Sequence, residues 1–189
     1  MENLCQQVNL RIIHDWGKTK KVFDQLTLLE SKVNLEEYGA SDHYDLKSLG
    51  TISKHRPSNN WYRLSGPAIN NTMPWLRSAL DLMKELEPDD GAISKLVGNG
   101  AEHTDLPQLK SAVNYIFDNS DKSAYTIVKG AECDITYPSK INTAWILNTQ
   151  APHQIVNNGT RWTLSIHFGA DFDVVNDWFN CNNNLVFGS

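Results

Sequence analysis

The sequence predicts a mainly β fold with flanking helices, and three observations support this class. Residues 18–32 and 72–86 carry apolar side chains at helical spacing. Residues 92–168 contain short segments rich in Val, Ile, Tyr, Trp and Thr, recurring at about ten-residue spacing. Turn residues such as Gly98-Asn99-Gly100 and Asn157-Asn158-Gly159 separate these segments. Helices followed by seven or eight strands indicate a β-sandwich or a barrel.

Composition and charge narrow the class of protein. The chain has 189 residues, which fits one domain, and a net charge of −5 with acids and bases intermixed. This charge pattern lacks the basic stripe of a duplex-DNA binder, so duplex nucleic acid is not an expected partner. No apolar run approaches the ~18 residues of a membrane span, and no signal-peptide layout begins the chain. Cys5, Cys133 and Cys181 lack paired spacing, which predicts a reducing, cytoplasmic setting.

The first third of the chain predicts one strand, one helix and a long irregular region. Residues 8–14 alternate loosely and favour a strand. Residues 18–32 predict an amphipathic helix with Val22, Phe23, Leu26 and Leu29 on its buried face. Residues 36–71 are rich in Gly, Ser, Asn and Pro, and predict an irregular excursion with one short strand at residues 61–64. Long excursions of this kind are often lids or binding loops.

A second helix and the strand array follow. Asn71 or Thr72 is the predicted N-cap, Pro74 suits the first turn, and Pro88 to Gly91 should end the helix. The predicted strands are residues 92–97, 111–118, 124–128, 132–137, 143–148, 153–156 and 160–168. Residues 171–189 predict a short helix around 174–179 and then an Asn-rich end.

The last predicted strand carries different chemistry on its two faces. Arg161, Thr163, Ser165 and His167 share one face, whereas the residues between them are large and apolar. A solvated outer face would not carry four large apolar residues, so we expect the two upstream helices to cover that side. The polar side should then face an enclosed cavity, in which Arg161 needs an anionic partner.

A His-x-Asp pair at His103 and Asp105 is the first candidate for metal ligation. Residues i and i+2 of an extended segment point the same way, so both side chains can reach one ion. The motif alone is weak, because a second copy occurs at His43 and Asp45. That copy lies in the irregular region and has no strand array after it, so we interpret it as a coincidence.

His153 completes the set. It lies 50 residues after His103, across several predicted strands that a barrel can fold together. Two imidazoles and one carboxylate leave three open positions on an octahedral metal, which is the arrangement of non-haem Fe(II) oxygenases. A Cys-rich zinc site is excluded by the cysteine positions.

Arg161 and Thr163 add an anion site to the same cavity. A guanidinium presents a fixed fork of donors that matches a carboxylate, and the Thr163 hydroxyl lies beside it. A dicarboxylic 2-oxo acid satisfies both ends, because one end can chelate the metal while the far carboxylate meets Arg161.

These residues resemble the 2-oxoglutarate and Fe(II)-dependent oxygenases. The family order H-x-D…H…R-x-[ST] is matched by His103, Asp105, His153, Arg161 and Thr163. The segments ISKLVGNGAEHTD and AWILNTQAPHQIVNNGTRWTLSIHF are similar to the aspartyl/asparaginyl β-hydroxylase-like branch. The resemblance covers about residues 72–169, and residues 1–70 match nothing nameable.

The resemblance implies a fold, cofactors and a reaction. It implies one oxygenase domain over residues 1–189, with a double-stranded β-helix core at 92–169, an N-terminal support and candidate lid at 1–91, and a tail at 170–189. Fe(II), 2-oxoglutarate and O₂ would be used to hydroxylate a C–H bond, with succinate and CO₂ as co-products. The branch favours an amino acid, free or within a peptide, as substrate. Asn114 and Tyr125 are further candidates for contact with the 2-oxo acid.

Several alternatives stay open at this point. The same chemistry fits a nucleobase or a small metabolite, and the same iron chemistry supports desaturation or ring closure. A cupin-like domain or a jelly-roll interaction module would use the scaffold without catalysis. His167 is interpreted as a structural histidine, Trp145 and Trp162 as core residues, and Asn148 and Asn157 as turn residues. Trp61, Tyr62 and Arg63 are candidates for a substrate lip.

Overall fold

The computed structural model of the chain describes residues 4–30, 43–46, 50–54, 61–65, 69 and 72–188. Within these residues the fold is mainly β, with a jelly-roll core and helices packed on one sheet, which confirms the predicted class. The helices are α1 (Trp16–Glu30), α2 (Trp75–Leu82) and α3 (Phe172–Cys181), and a 3₁₀ turn covers Lys84–Leu86. The first six strands are β1 (Cys5–Val8), β2 (Leu10–Ile13), β3 (His43–Leu46), β4 (Gly50–Lys54), β5 (Trp61–Ser65) and β6 (Ala92–Val97). The remaining strands are β7 (Ser111–Asn119), β8 (Tyr125–Val128), β9 (Ile135–Pro138), β10 (Thr143–Asn148), β11 (His153–Val156), β12 (Thr160–Phe168) and β13 (Leu185–Gly188).

Two sheets enclose the interior of the core. The large sheet has the order β1-β10-β7-β12-β6-β5-β4-β3, and the small sheet has the order β11-β8-β9. All pairings in both sheets are antiparallel. β12 lies between β6 and β7 in the large sheet. Its polar face lines a cavity whose other side is formed by the small sheet.

The other face of the large sheet carries the main hydrophobic core. Trp162, Leu164, Ile166 and Phe168 of β12 are buried there, as the alternation of that strand predicted. Phe23 of α1 is fully buried and meets Trp162 edge-on, with 4.9 Å between ring centroids. The two upstream helices therefore cover the apolar face, as expected, and α3 and β2 add residues that the sequence did not assign to it.

The seven strands predicted between residues 92 and 168 all form, with end points within three residues of the prediction. The region of residues 36–71 differs, because β3, β4 and β5 form where one strand was expected. These strands extend the large sheet beyond β6. The prediction of an irregular region was therefore wrong for the residues of 36–71 that the structure describes. The tail also differs, since β13 pairs in parallel with β2.

The start and end of α2 differ from the sequence expectation. Pro74 takes the N-cap position without a side-chain cap, and the Thr72 hydroxyl instead donates to the Ile69 carbonyl. Asn71 lies outside the described residues. The helix ends at Leu82, before the expected stop, and Glu87 adopts a left-handed φ of 55° after the 3₁₀ turn.

No helix in the described part of the chain has both the length and the hydropathy needed to cross a bilayer.

Candidate metal centre and anion site

His103 and His153 are brought together by the backbone. They form an isolated antiparallel bridge, in which each amide donates to the carbonyl of the other at 3.0 and 2.9 Å. Their ring centroids are 4.4 Å apart. The Nδ1 atoms lie 2.9 and 3.0 Å from the carbonyl oxygens of Ala101 and Ala151, two residues earlier in each case. Because Nδ1 donates to these carbonyls, it is Nε2 that carries the lone pair in both rings and could ligate a metal.

Asp105 completes a compact cluster with the two histidines. One ligand atom from each residue lies within 4.8 Å of the others, and Asp105 Oδ1 is 3.8 Å from His103 Nε2. The Asp105 amide donates to the Thr149 carbonyl at 3.0 Å, which fixes the segment after His103. The structure therefore places the three predicted metal ligands side by side.

The electrostatics of the cluster favour the forms of these side chains that bind metal. Burial lowers the pKa of His153, and the neighbouring His103 lowers it further, so the imidazole stays neutral near pH 7. Burial raises the pKa of Asp105, but the three histidines around it outweigh burial and bring the pKa below its usual range. Neutral imidazole and ionised carboxylate are the forms that ligate a divalent metal.

The donor set fits a first-row divalent ion with open positions. Two imidazole nitrogens and one carboxylate suit Fe(II), and a site of this kind keeps room for further ligands. The carbonyl partners on both Nδ1 atoms supply the outer hydrogen bonds that orient metal-binding histidines.

The cluster lies in a cavity between the two sheets. Arg161, Thr163, Ser165 and His167 all line it, as the face of β12 predicted. The small sheet contributes Thr126, Tyr137, His153 and Ile155, and the rest of the lining comes from Ser94, Leu96, His103, Asp105, Ala112, Asn114, Leu147 and Thr149.

Arg161 is a buried cation whose partners are all neutral. It is only 2% exposed, Nη1 reaches the Thr126 hydroxyl at 3.4 Å, and Tyr137 lines the same cavity. Its Nε has no hydrogen-bond partner, and among the described residues no carboxylate pairs with it. Burial lowers the pKa of Arg161 from its ordinary value, although contact with Tyr137 partly offsets this effect. The guanidinium nevertheless stays protonated, because arginine is not deprotonated in proteins. A buried positive charge without a charged partner favours the binding of an anion in this cavity.

The remaining co-substrate candidates are placed differently from one another. Asn114 and Thr163 line the cavity, and Asn114 Oδ1 accepts a 2.6 Å hydrogen bond from the Ser165 hydroxyl. Tyr125 is not part of the lining, and its side chain is 36% exposed. The next residue of β8, Thr126, faces the cavity, and successive side chains of a strand point to opposite faces. Tyr125 therefore points away from the cavity and does not lie where contact with the 2-oxo acid was expected.

Tyr137 was not identified from the sequence, although it lies beside Arg161. It is 1% exposed and lines the cavity together with Thr126 and Arg161. Burial raises the pKa of Tyr137, although Arg161 opposes the shift, so the phenol stays protonated. Tyr137 lies on β9 of the small sheet and Arg161 on β12 of the large sheet, so no sequence pattern indicated that the two would be close.

His167 was expected on the cavity face of β12 and interpreted as a structural histidine, whereas Asp89 was not identified as its partner. His167 Nε2 lies 3.4 Å from Asp105 Oδ2, and its Nδ1 lies 3.2 Å from Asp89 Oδ2. Burial lowers the pKa of His167, but the two carboxylates outweigh burial and raise it above its usual value. Asp89 lies in the segment that the sequence assigned only to helix termination.

Other candidates lie away from the cavity or outside the described part. The second His-x-Asp pair, His43 and Asp45, lies on β3, which is one of the two edge strands of the large sheet. The side chains of Trp61, Tyr62 and Arg63 are outside the described part of the chain. Trp162 is in the main core, and Trp145 stacks on Tyr137 at 4.6 Å in a smaller core between the sheets.

Comparison with known proteins gives similarity of fold alone. No protein-family model and no curated protein matches the sequence. A Pseudomonas putida prolyl-4-hydroxylase aligns with 87% of this chain and 91% of its own, at 8% identity and a TM-score of 0.45. A 2OG-Fe(II) oxygenase family protein from Burkholderia pseudomallei aligns over 62% and 73%, at 11% identity and a TM-score of 0.44. A predicted oxalate decarboxylase from Thermotoga maritima aligns over 62% and 92%, at 13% identity and a TM-score of 0.37.

Proposed function

We propose that this protein is an Fe(II)- and 2-oxoglutarate-dependent dioxygenase that hydroxylates a C–H bond of an amino acid, free or within a peptide. The observation that carries the proposal is one cavity with two complementary ends. At one end, His103, Asp105 and His153 form a cluster of three candidate ligands. At the other end lies the buried guanidinium of Arg161, which no carboxylate of the described residues neutralises.

Each end has a defined role in binding a dicarboxylic 2-oxo acid. Arg161 would bind the far carboxylate through its Nε and Nη groups, with the Thr163, Tyr137 and Thr126 hydroxyls beside it. The metal would be held by Nε2 of His103 and His153 and by Asp105, and when bound it supplies the activation of O₂ for C–H hydroxylation. Arg161 is only 2% exposed, so solvent would screen its pairing with an anion only weakly.

The amino-acid substrate has a different support. It rests on the similarity of residues 93–105 and 144–168 to the aspartyl/asparaginyl β-hydroxylase-like branch. A nucleobase or a small metabolite is the alternative for the same site.

Ligand-induced stabilisation tests the proposal directly. We expect Mn(II), as a redox-stable substitute for Fe(II), to raise the melting temperature, and 2-oxoglutarate to raise it further only when metal is present. A ligand at 100 times its Kd adds about 2.7 kcal/mol to the free energy of unfolding. His103→Ala and His153→Ala should abolish the response, whereas His43→Ala, which alters the second His-x-Asp pair, should keep it.

Turnover provides the second test. With Fe(II) and O₂, the protein should convert 2-oxoglutarate to succinate, and adding candidate amino acids or peptides should raise the rate for the true substrate class. Metal binding without any response to 2-oxoglutarate would instead indicate a cupin-like metal-binding domain. No response to either ligand, together with no succinate, would rule the oxygenase out.

A further inference from the structure

A chain of three side chains connects the metal cluster to the segment before β6. Asp105 Oδ2 faces His167 Nε2 at 3.4 Å, and His167 Nδ1 faces Asp89 Oδ2 at 3.2 Å. The three side chains are 18%, 12% and 24% exposed, so water competes weakly for these contacts. Both ring nitrogens of His167 are thus directed at carboxylates, and the cluster of candidate ligands does not include this histidine.

Asp89 is itself rigidly held. Its Oδ1 accepts hydrogen bonds from the backbone amides of Gly91 at 2.9 Å and His167 at 3.0 Å. Its own amide donates to the His167 carbonyl at 2.8 Å. The main chains of Asp89 and His167 are therefore locked together, and Oδ2 of Asp89 sets the orientation of the His167 ring.

The two oxygens of Asp105 face different neighbours. Oδ1 is directed toward His103 Nε2, on the side of the metal cluster, whereas Oδ2 is directed toward His167. A carboxylate free to rotate can bind a metal through both oxygens and occupy an additional coordination position. A carboxylate with one oxygen engaged elsewhere offers a single oxygen to the metal.

We propose that His167, oriented by Asp89, is a positioning residue that restrains Asp105 so that it ligates the metal through one oxygen. The inference rests on the proposed function, because it presupposes metal at His103, Asp105 and His153. Its consequence is to preserve the open positions that a chelating 2-oxo acid and O₂ both need.

Metal titrations of the folded protein and its variants test this role. In His167→Ala we expect Mn(II) and Co(II) to bind about 10–100-fold more weakly, the usual effect of losing an outer hydrogen bond to a metal ligand. The Co(II) d–d absorption should also change, because Asp105 becomes free to bind through both oxygens. His167→Gln should restore most of the affinity and the native spectrum, since its amide nitrogen can reach Asp105 in place of Nε2.

A matched pair of aspartates separates the role of Asp89 from general charge effects. Asp89→Asn keeps the shape but replaces a carboxylate oxygen that faces His167, so it should weaken metal binding in the same direction as His167→Ala. Asp90→Asn changes an exposed neighbour and should bind metal like the wild type. Thermal melts of the metal-free variants show whether each is folded, and Asp89→Asn serves as the test should His167→Ala not fold.

The outcomes distinguish this inference from the proposed function. If the wild type binds neither Mn(II) nor Co(II), the proposed metal site and the inference are both wrong. If the wild type binds metal and folded His167→Ala or Asp89→Asn binds it with the same affinity and spectrum, the proposed function survives and the positioning role is refuted.

Discussion

His103 and His153 are backbone partners as well as candidate ligands of one metal. Each donates its amide hydrogen to the carbonyl of the other, and this bridge joins the segment after β6 to β11. The imidazoles are therefore brought together by main-chain bonds that do not depend on the side chains or on a metal. A substitution of either imidazole can therefore remove metal binding while the main-chain bonds between the two segments remain.

The first prediction compares two substitutions at His103 in the metal-free protein. His103→Ala keeps both main-chain bonds, so it should lose metal binding with a small change in the free energy of unfolding. His103→Pro removes one amide donor and leaves the buried His153 carbonyl without it, which should cost about 1–3 kcal/mol. Urea denaturation measures both. Equal destabilisation by Ala and Pro would mean that the imidazole, rather than the bridge, holds the two segments together.

The second prediction concerns the cost of keeping Arg161 ready for an anion. A buried cation without a charged partner opposes folding, so Arg161→Met should leave the free energy of unfolding unchanged or raise it. The same variant should still bind Mn(II) but lose the additional stabilisation by 2-oxoglutarate.

Arg77→Met is the matched control for this experiment. Arg77 is an exposed α2 residue that pairs with Asp81, and its replacement should change stability by no more than about 0.5 kcal/mol. A loss of about 3–5 kcal/mol in Arg161→Met would contradict the prediction, because it would show that the guanidinium is already compensated in the free protein.

The fold was predictable where local patterns determine it. The alternation in residues 160–168 identified both faces of β12, since a strand with one apolar face can only pack one way round. β13 was not predictable, because its pairing with β2 joins residues 175 positions apart and its own sequence is short. β3 and β4 were missed because Gly50 and the serines around them are typical of loops.

The site was predictable only in part, for a related reason. The candidate ligands His103, Asp105 and His153 follow a spacing that the sequence displays, whereas the positions of Tyr137, Asp89 and the inward face of β8 depend on tertiary contacts. Tyr125 and Thr126 are adjacent, and shifting the phase of one short strand by a single residue exchanges which of them faces inward. The contact between His167 and Asp89 spans 78 residues and has no sequence periodicity to reveal it.

The third prediction concerns the turn that joins β11 to β12. The buried Asn157 side chain donates to the carbonyls of Gly159 at 2.8 Å and Gly98 at 3.3 Å, and accepts from the Gly159 amide at 3.1 Å. Asn157→Ala removes all three bonds and should lower the free energy of unfolding by about 1–3 kcal/mol. Asn158→Ala, at an exposed position whose backbone amide keeps its bond to Asp121, should change it far less. Comparable losses in the two variants would mean that the turn does not depend on the Asn157 amide.

The fourth prediction concerns how the free energy of unfolding depends on pH through His14, which does not line the cavity. His14 Nδ1 accepts a hydrogen bond from the Trp75 indole N–H at 3.2 Å, so the ring proton is on Nε2, which donates to the buried Thr19 hydroxyl at 2.6 Å. Protonation of Nδ1 would place its N–H opposite the indole N–H of Trp75, and this hydrogen bond would be lost. Burial accordingly lowers the pKa of His14, with Asp15 opposing the shift and Lys18 adding to it.

The sign of this effect follows from proton binding. At a pH between the lowered pKa of His14 in the folded protein and its ordinary value of about 6.5, the unfolded chain binds more protons than the folded one. The free energy of unfolding should therefore decrease as the pH falls below about 6.5, until the lowered pKa is passed. His14→Asn is the control, since its side-chain oxygen can accept from Trp75 but does not titrate. The difference in stability between wild type and His14→Asn, measured in urea from about pH 8 to pH 5, should shift against the wild type on acidification. A difference that stays constant over this range would show that His14 is not held in its neutral form by Trp75 and Thr19.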